Sequence, residues 1–319
     1  MLPRKKQHTG PNIYVILHLG AHRTATTSFQ SWMREQAPRL SEHQIGYWGP
    51  GRTRGGVLAG VLPETGFLTP AEQLERAKGR IALNLARCTA KGIRSLVISD
   101  ENILGAPRRA PRDRELYRAA GFRLARYEEA FQGRITRVHL TIRSLDRWWA
   151  SVAAFAVSRG EPVPPRTAFA TLAASRGWRD VITDISGALP AAVINVSVFE
   201  EVASRSAAKL FAMTGHKSPP SRSPDLNASP DLRQLREILT LRGEDPAVLG
   251  EGQGRWNPFT EAEALGLKET YGDDLFWLAS GADGLATLTG NRNGADGANP
   301  QPTHTTRGRK HDERKGCVA

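Results

Sequence analysis

The sequence predicts an α/β fold in which helices cover both faces of a mainly parallel sheet. Short apolar runs rich in β-branched residues alternate with longer segments of helical periodicity, which is the pattern of strand–helix–strand units. The chain has 319 residues, of which 39% are hydrophobic, and this is enough for one large α/β domain with additions or for two small domains. The first apolar run leads through a small polar loop into a helix, an order typical of anion sites.

Four apolar runs have the length and the β-branched composition of buried strands. The first precedes the polar loop, and the next two are followed by charged or polar side chains. Polar groups at the carboxyl ends of parallel strands lie where open α/β sheets bind ligands. The predicted strands are residues 13–17, 95–99, 137–142 and 191–198.

Seven segments are predicted to be helical, and one of them has a complete start signal. Thr69 is a capping residue, Pro70 occupies the first helical position, and Glu72 follows three residues after the cap. Gly92 ends that helix. The predicted helices are residues 28–40, 70–91, 113–131, 146–157, 200–214, 231–241 and 260–279.

Composition divides the chain into a basic leader, one large domain and a tail. Residues 1–11 are basic and polar and are expected to be disordered, as is the Gly-, Asn-, Thr- and Arg-rich tail, residues 281–319. Between them lies the α/β domain, residues 12–280. Within it, residues 215–228 are predicted to be a linker because they are rich in Ser and Pro, and residues 229–280 are a helical C-terminal part.

The net charge of +12 favours anionic partners, such as nucleotides, sulfated or phosphorylated substrates, or nucleic acid. A general role of the charge in solubility is the alternative. Residues 108–147 are the most basic segment, with eleven Arg against five Asp and Glu. The arginines are scattered and no known nucleic-acid-binding motif occurs, which argues against nucleic acid as the partner.

Cysteine content and hydropathy predict a cytoplasmic protein. Cys88 and Cys317 are the only cysteines, so neither a disulfide framework nor a zinc site is expected, and no other metal site is predicted. No apolar run approaches the roughly 18 residues that a membrane span requires. No apolar segment follows the basic first residues, so a secretory signal is not predicted.

The polar loop after the first strand is the strongest feature of the sequence. From His18 to Gln30, backbone N–H groups and the positive end of a helix dipole are expected to converge on one point, where an anion such as a phosphate binds. Thr24, Thr26 and Thr27 add hydroxyl donors, and Arg23 adds a planar cation. The alternative is a Thr- and Ser-rich helix cap that holds no ligand.

This loop resembles the 5′-phosphosulfate loop of sulfotransferases, which reads roughly G-x-x-K-T-G-T-T. Arg23 stands where that family has lysine; arginine can hold a phosphate but does not donate a proton as lysine can. Ala25 stands at the family's second glycine and narrows the backbone angles open to the loop. Four positions match the family pattern: Gly20, Thr24, Thr26 and Thr27.

A second motif of the same family is matched further along the chain. Arg143 ends a predicted strand, and Ser151 follows eight residues later on a predicted helix. In sulfotransferases an arginine and a serine at this spacing hold the 3′-phosphate of the donor nucleotide. A surface arginine and an unrelated helix serine are the alternative.

The polar residues after the strand at 95–99 are candidates for the catalytic base. Transfer to a hydroxyl group requires a base that takes the proton of the acceptor. Bacterial sulfotransferase-like proteins often carry S-x-E here, which selects Glu101, followed by Asp100 and then His22 in the loop. A salt bridge between Glu101 and one of the arginines, or a helix cap, is the alternative.

The resemblance to bacterial sulfotransferases implies a three-layer P-loop-type fold with a C-terminal helical extension. It implies 3′-phosphoadenosine 5′-phosphosulfate as the donor and a carbohydrate, lipid or small-molecule hydroxyl as the acceptor. Arg23 would stabilise charge in the transition state, and Thr26 and Thr27 would hold the 5′-phosphate. The basic segment at 108–126 would recruit an anionic acceptor such as a polysaccharide; a solvated protein face is the alternative.

Two other functions are compatible with the loop. An ATP-dependent P-loop kinase requires a loop lysine, which is missing, and an acidic strand end for Mg²⁺, which Asp100 would provide. A catalytically degenerate nucleotide-binding protein is favoured by Ala25 and by the missing lysine.

Overall fold

One six-stranded parallel sheet organises the molecule, which confirms the predicted α/β class. The computed structural model describes residues 13–106, 115–173, 176–219 and 226–289. The strand order is β2-β3-β1-β4-β5-β6, and every neighbouring pair is parallel. The strands are β1 Tyr14–Gly20, β2 Ile45–Trp48, β3 Ser95–Ser99, β4 Ile135–Ile142, β5 Val193–Val198 and β6 Thr287–Thr289.

Nine helices of eight or more residues occur among the described residues. They are α1 Thr26–Glu42, α2 Pro70–Ala90, α3 Ala120–Phe131, α4 Leu145–Ser158, α5 Arg166–Ala173, α6 Trp178–Ala188, α7 Ser206–Thr214, α8 Leu232–Leu241 and α9 Glu261–Ala279. Shorter helical turns cover Pro50–Arg52, Thr53–Val57, Glu101–Ile103, Phe199–Val202, Pro246–Leu249 and Ala282–Gly284. None of the described helices is long and apolar enough to cross a membrane.

Two separate apolar clusters cover the two faces of the sheet, because successive side chains of a strand point to opposite faces. The smaller cluster joins Ile16 of β1 and Val97 of β3 to helices α1 and α7. The larger cluster takes the alternate residues of the same strands, such as Val15 and Leu17 of β1, and packs them against α2, α3, α4, α6 and α9. The sheet therefore lies between two helical layers.

The position of β1 between β3 and β4 decides where polar residues meet. The parallel strands β1, β3 and β4 end at the same edge of the sheet. The loop after Gly20, the turn that begins at Asp100, and Arg143, which follows β4, therefore lie side by side. Ligands of open α/β sheets bind at this carboxyl edge. The order of the strands thus brings together the two motifs that the sequence analysis identified.

Several predicted helix boundaries are confirmed and two are corrected. The predicted capping box is present: the Thr69 N–H donates to Glu72 Oε2 at 2.8 Å, and the Glu72 N–H donates to Thr69 Oγ1 at 3.3 Å. The predicted helix at 200–214 is interrupted, since Phe199–Val202 and α7 are separated by three residues. The helix predicted from residue 113 begins at Ala120; residues 107–114 lie outside the described residues.

Two strands and two of the longer helices were not predicted from the sequence. β2 is only four residues long, and β6 is a three-residue Thr-Leu-Thr segment that pairs with β5 at the edge of the sheet. Because β6 lies within residues 281–289, the predicted disordered tail begins too early in the chain. Helices α5 and α6 follow a proline-rich break and were not predicted.

Candidate anion-binding site

A cavity of about 1000 Å³ opens at the carboxyl edge of the sheet. It lies between the β1–α1 loop, the Pro50–Arg52 turn, the ends of β3 and β4, and residues 226–229. Among the described lining residues, Glu101 is the one carboxylate, whereas six are arginines: Arg23, Arg34, Arg52, Arg54, Arg143 and Arg255. This excess of positive charge in a concave site favours an anionic ligand.

Two residues of the β1–α1 loop adopt the left-handed backbone conformation. Arg23 has a φ of 62°, and Ala25, the N-cap of α1, has a φ of 58° and a ψ of 30°. Ala25 therefore adopts a conformation that glycine adopts without strain, at a cost of about 1–2 kcal/mol for an L-residue. The loop keeps this shape although residue 25 is not a glycine.

Side chains from elsewhere in the fold hold the successive carbonyl groups of this loop. Trp148 Nε1 donates to the carbonyl of His22 at 2.8 Å, and an Arg143 guanidinium nitrogen donates to the carbonyl of Arg23 at 3.0 Å. Lys209 Nζ donates to the carbonyl of Thr24 at 3.3 Å. The N–H and C=O of a trans peptide point in opposite directions, so these bonds orient the following N–H groups.

The N–H groups of Arg23 and Ala25 donate to no hydrogen-bond acceptor among the described residues. They are followed by the first turn of α1, in which Thr26 and Thr27 also line the cavity. Successive free N–H groups at a helix start form an anion-binding nest. The loop can therefore bind one phosphate or sulfate group.

The loop hydroxyl groups have different roles. Thr24 Oγ1 and Thr26 Oγ1 both donate to the carbonyl of Ala21, at 2.7 and 2.9 Å. Thr24 is buried and does not line the cavity, so its hydroxyl stabilises the loop rather than facing a ligand. Thr26 combines the same hydrogen bond with a place in the wall, and Thr27 is a half-buried lining residue.

Gly20 allows the end of β3 to approach the loop closely. It has a φ of +90°, and a Cβ atom added there would lie 3.1 Å from Cβ of Glu101 and 3.2 Å from Oγ1 of Thr26. Gly20 does not line the cavity. Its predicted place in the loop is thus explained by backbone conformation and by the contact with Glu101.

Arg23 and Ser151 belong to one hydrogen-bonded group. Arg23 Nε donates to Ser151 Oγ at 3.0 Å, and a terminal guanidinium nitrogen donates to Ser229 Oγ at 2.7 Å. The two serine hydroxyls are 2.6 Å apart. Together with Arg143, which bonds the Arg23 carbonyl, these residues form a second cationic group that we call the arginine–serine subsite.

The two guanidinium groups of the arginine–serine subsite are poorly compensated. Burial, followed by the charges of Arg143 and Arg255, lowers the pKa of Arg23 to about 10, and burial together with Arg255 also lowers the pKa of Arg143 to about 10. Each packs on an aromatic ring, Phe155 and Phe199 respectively. Neither forms an ion pair with a described carboxylate. Two desolvated cations side by side favour the binding of an anion.

Arg143 has one nitrogen that a ligand would satisfy. The residue is 5% exposed, and its Nε is buried without a hydrogen-bond partner among the described residues. A buried N–H group without an acceptor costs about 1–3 kcal/mol. Arg143 also lines the cavity, so its guanidinium group lies beside the space that an anionic ligand would occupy.

Glu101 lies in the cavity wall and is held by two donors. Gln30 Nε2 donates to its Oε2 at 2.7 Å, and Arg54 donates to its Oε1 at 3.1 Å. Its side chain is 15% exposed, so a ligand in the cavity can reach it. This position is compatible with a general base. Each carboxylate oxygen of Glu101 accepts one hydrogen bond and keeps a second lone pair that can accept a proton.

Asp100 does not line the cavity and is fully engaged in the fold. Thr53 Oγ1 donates to its Oδ2 at 2.6 Å, Arg54 donates to its Oδ1 at 2.7 Å, and the Asn102 N–H donates to the same oxygen at 3.1 Å. Although burial alone lowers the pKa of Arg54, the bonds to Asp100 raise it above its usual value. Asp100 therefore attaches the Thr53–Val57 turn to the end of β3.

Both ring nitrogens of His22 have partners, which argues against its role as a base. The backbone N–H of His22 donates to the Tyr117 hydroxyl oxygen at 2.9 Å. That hydroxyl can therefore donate its own proton to the ring nitrogen Nδ1 of His22 at 2.8 Å. Nε2 lies 3.2 Å from Asn102 Oδ1 and is then the protonated nitrogen. Burial lowers the pKa of His22, and the ring is neutral at neutral pH.

Three contributors to the site were not predicted from the sequence. Ser229 and Arg255 line the cavity, and the Leu226 N–H donates to Ser28 Oγ at 3.1 Å. Part of the predicted linker, residues 226–228, is thus a wall of the site. No motif marks these residues, because their position depends on how the C-terminal part packs over the sheet edge. The basic residues 107–114 lie outside the described residues.

No protein-family model matches this chain, and no curated protein matches it in sequence. Among the described residues, no group of three or more His, Cys, Asp or Glu side chains is placed to hold a metal ion. What the site can bind therefore has to be inferred from its own chemistry: two anion-binding groups and one accessible carboxylate.

Proposed function

We propose that this protein is a sulfotransferase that moves a sulfuryl group from 3′-phosphoadenosine 5′-phosphosulfate to a hydroxyl acceptor. The observation that carries the proposal is the presence of two anion-binding groups in one cavity, the β1–α1 loop and the arginine–serine subsite. A nucleotide that carries anions at both its 5′ and its 3′ positions matches such a pair. Glu101 adds the proton acceptor that transfer to an alcohol requires.

The arginine–serine subsite would hold the 3′-phosphate. A phosphate oxygen would accept from the unpartnered Nε of Arg143, and the hydroxyls of Ser151 and Ser229 would supply neutral donors. The charge of the phosphate would also compensate the two buried guanidinium groups. This requirement distinguishes the proposed donor from ATP, which has no 3′-phosphate.

The loop and the start of α1 would hold the 5′-phosphosulfate. The N–H groups of residues 23–28 and the helix dipole stabilise negative charge on the transferred group and on the departing phosphate. Because the carbonyl groups of the loop are already held by other side chains, these donors need little reorganisation when the charge develops.

Glu101 would take the proton of the acceptor hydroxyl. The acceptor oxygen forms a bond to sulfur while the bond between sulfur and the 5′-phosphate oxygen breaks, so adenosine 3′,5′-bisphosphate leaves with that electron pair. Gln30 and Arg54 hold the two carboxylate oxygens of Glu101 and fix their direction.

The role of Arg23 differs from what the family resemblance implies. Its guanidinium group contacts Ser151, Ser229 and Phe155, so its contacts belong to the arginine–serine subsite. We therefore assign Arg23 to donor binding first, and direct stabilisation of the transferred group remains a prediction. The same contacts favour the second candidate function, a protein that binds the nucleotide without transferring sulfate.

Replacing Glu101 by Gln separates these two functions. In Glu101→Gln, the affinity for adenosine 3′,5′-bisphosphate is expected to stay within about threefold of wild type, whereas turnover falls by about 100-fold or more because the base is lost. Turnover is measured as the release of the bisphosphate from the donor in the presence of carbohydrate, phenol and aliphatic alcohol acceptors.

Glu129→Gln is the matched control, since Glu129 pairs with Lys78 at the surface and lies outside the cavity wall. It should retain full turnover. A Glu101→Gln protein as active as this control would exclude Glu101 as the base. A wild-type protein that binds the bisphosphate tightly but releases none with any acceptor would favour the binding-protein alternative.

A further inference from the structure

A buried lysine lies directly behind the β1–α1 loop. Lys209 on α7 is 1% exposed, and its Nζ donates to the carbonyl of Thr24 at 3.3 Å. Its aliphatic stem lies in the layer that α1 and α7 form on one face of the sheet. A buried ammonium group is costly unless an opposite charge compensates it.

The titratable groups that face Lys209 from the neighbouring strands supply no negative charge. His18 of β1 and His139 of β4 are both buried; burial and then the neighbouring positive charges lower the pKa of each, that of His139 to about 3. Arg137 of β4 donates to the carbonyl of Met213 at the end of α7. Among the described residues, no carboxylate forms an ion pair with Lys209.

Among the other adjoining elements, Glu35 and Glu200 have partners other than Lys209. Glu35 of α1 accepts from Ser31 at 3.3 Å, and Glu200, in the turn before α7, accepts from Tyr271 at 3.5 Å. A suitable compensating charge is therefore an anion on the opposite side of the loop from Lys209. The hydrogen bond to Thr24 points the next N–H, that of Ala25, away from α7, and Ala25 lines the cavity.

We propose that Lys209 is a positioning residue that holds the loop in its anion-binding conformation and supplies, from behind, the positive charge that a lysine in the loop itself would supply. The inference rests on the proposed function only in that the loop binds an anion. It does not depend on which nucleotide carries that anion.

Proton uptake on ligand binding follows from this arrangement. Burial lowers the pKa of Lys209 to about 8 in the free protein, and a nearby anion favours the charged amine. If binding raises that pKa by about one unit, the protonated fraction at pH 8 rises from about 0.5 to about 0.9, so that about 0.4 proton is taken up. The affinity is then at its maximum below pH 8, and it falls as the pH rises through the pKa of Lys209 in the complex.

The shifted groups next to Lys209 and to the ligand titrate outside this window. Arg23 and Arg143 have pKa values of about 10, and a ligand phosphate titrates near pH 6, about two units away on the other side. The neutral His18 and His139 rings do not gain protons at pH 8, because their pKa values are lowered. Proton uptake near pH 8 therefore reports on Lys209.

The test compares Lys209→Met, Lys209→Arg and wild type by calorimetric titration at pH 8 in two buffers that differ in ionisation enthalpy. The probes are adenosine 3′,5′-bisphosphate, ATP and inorganic sulfate. Lys209→Met should fold, bind the preferred probe about tenfold more weakly and lose the proton uptake. Lys209→Arg should bind more tightly than Lys209→Met and show no uptake near pH 8, because the guanidinium stays charged.

Lys78→Met is the matched control, because Lys78 is a lysine of α2 that pairs with Glu75 and Glu129 away from the loop. Lys209→Met with wild-type affinity and unchanged proton uptake would overturn the inference. If ATP binds more tightly than adenosine 3′,5′-bisphosphate and its affinity still falls in Lys209→Met, the inference holds and the proposed sulfotransferase function fails. If wild type binds none of the three probes, both the inference and the proposed function fail. A third outcome applies if Lys209→Met does not fold. In that case, wild-type affinity and wild-type proton uptake at pH 8 in Lys209→Arg would show that Lys209 does not titrate there, and the inference also fails.

Discussion

Arg143 is the side chain on which the proposed ligand recognition most depends. It ends β4, lines the cavity, holds the Arg23 carbonyl and keeps one buried nitrogen unpartnered. Its guanidinium group lies over Phe199, with 4.6 Å between the guanidinium carbon and the ring centre. An arginine packed in this way has few alternative conformations, so it is preorganised to bind an anion.

Arg143→Ala should affect two nucleotides unequally. Affinity for adenosine 3′,5′-bisphosphate is expected to fall about 30-fold, which corresponds to about 2 kcal/mol for the loss of a charge-assisted hydrogen bond. Affinity for adenosine 5′-phosphate should fall clearly less, because that ligand has no 3′-phosphate and loses only the support that Arg143 gives to the Arg23 carbonyl. Calorimetry with both ligands measures the difference.

A surface variant provides the comparison for Arg143→Ala. Arg233 pairs with Glu237 on α8, at a distance of 3.1 Å and largely exposed, so Arg233→Ala should change neither affinity. Equal losses for the two nucleotides in Arg143→Ala would contradict the assignment of the 3′-phosphate to this residue.

Individual residues show what a sequence can and cannot indicate. The spacing of Arg143 and Ser151 was enough to place both in one cavity, because parallel strands and a following helix fix their relation. The same pattern did not distinguish Thr24, whose hydroxyl stabilises the loop, from Thr27, which lines the cavity. Asp100 was a reasonable candidate, but the Thr53 and Arg54 side chains that engage it come from a segment without a recognisable motif.

At the scale of elements, the site depends on how closely the ends of β1 and β3 approach. A methyl carbon added at Gly20 would lie only 3.1 Å from Cβ of Glu101, which is tighter than ordinary contact. The strand ends therefore have no space for a side chain at Gly20. This close approach brings the base candidate next to the anion-binding loop.

Gly20→Ala should destabilise the protein more than Gly92→Ala does. Both glycines have a positive φ, +90° and +78°, but a Cβ at Gly92 would meet open space. The strain of a left-handed L-residue, about 1–2 kcal/mol, is common to both, and displacement of Glu101 is expected to add about 1–2 kcal/mol in Gly20→Ala. Urea unfolding of the two variants measures the difference, and equal free energies of unfolding would show that the close approach is not constrained.

Elements that the sequence did not reveal share a physical cause. β2 and β6 are too short to show a strand pattern, and they exist because β3 and β5 offer free backbone groups for pairing. Residues 226–228 end the predicted linker, residues 215–228, which is rich in Ser and Pro, and Ser229 follows it. Their contacts with Ser28 and Arg23 depend on tertiary packing, which local propensity does not contain.

At the scale of the whole molecule, the described residues gather positive charge around one cavity. Six arginines line one cavity, and the two that are most buried, Arg23 and Arg143, lie without a described carboxylate partner in the arginine–serine subsite. Lys209 adds another buried cation behind the loop. A positively charged cavity of this kind attracts multiply charged ligands and binds them less tightly as salt increases.

The most direct measurement is calorimetric titration of the wild-type protein with adenosine 3′,5′-bisphosphate, with ATP·Mg²⁺ as the comparison. We expect the bisphosphate to bind with a Kd in the micromolar range, which corresponds to a binding free energy of about 8 kcal/mol. ATP should bind at least about 30-fold more weakly. That result would support a site built for both a 5′ and a 3′ anion. Tighter binding of ATP, or binding of neither nucleotide, would contradict the proposed sulfuryl donor.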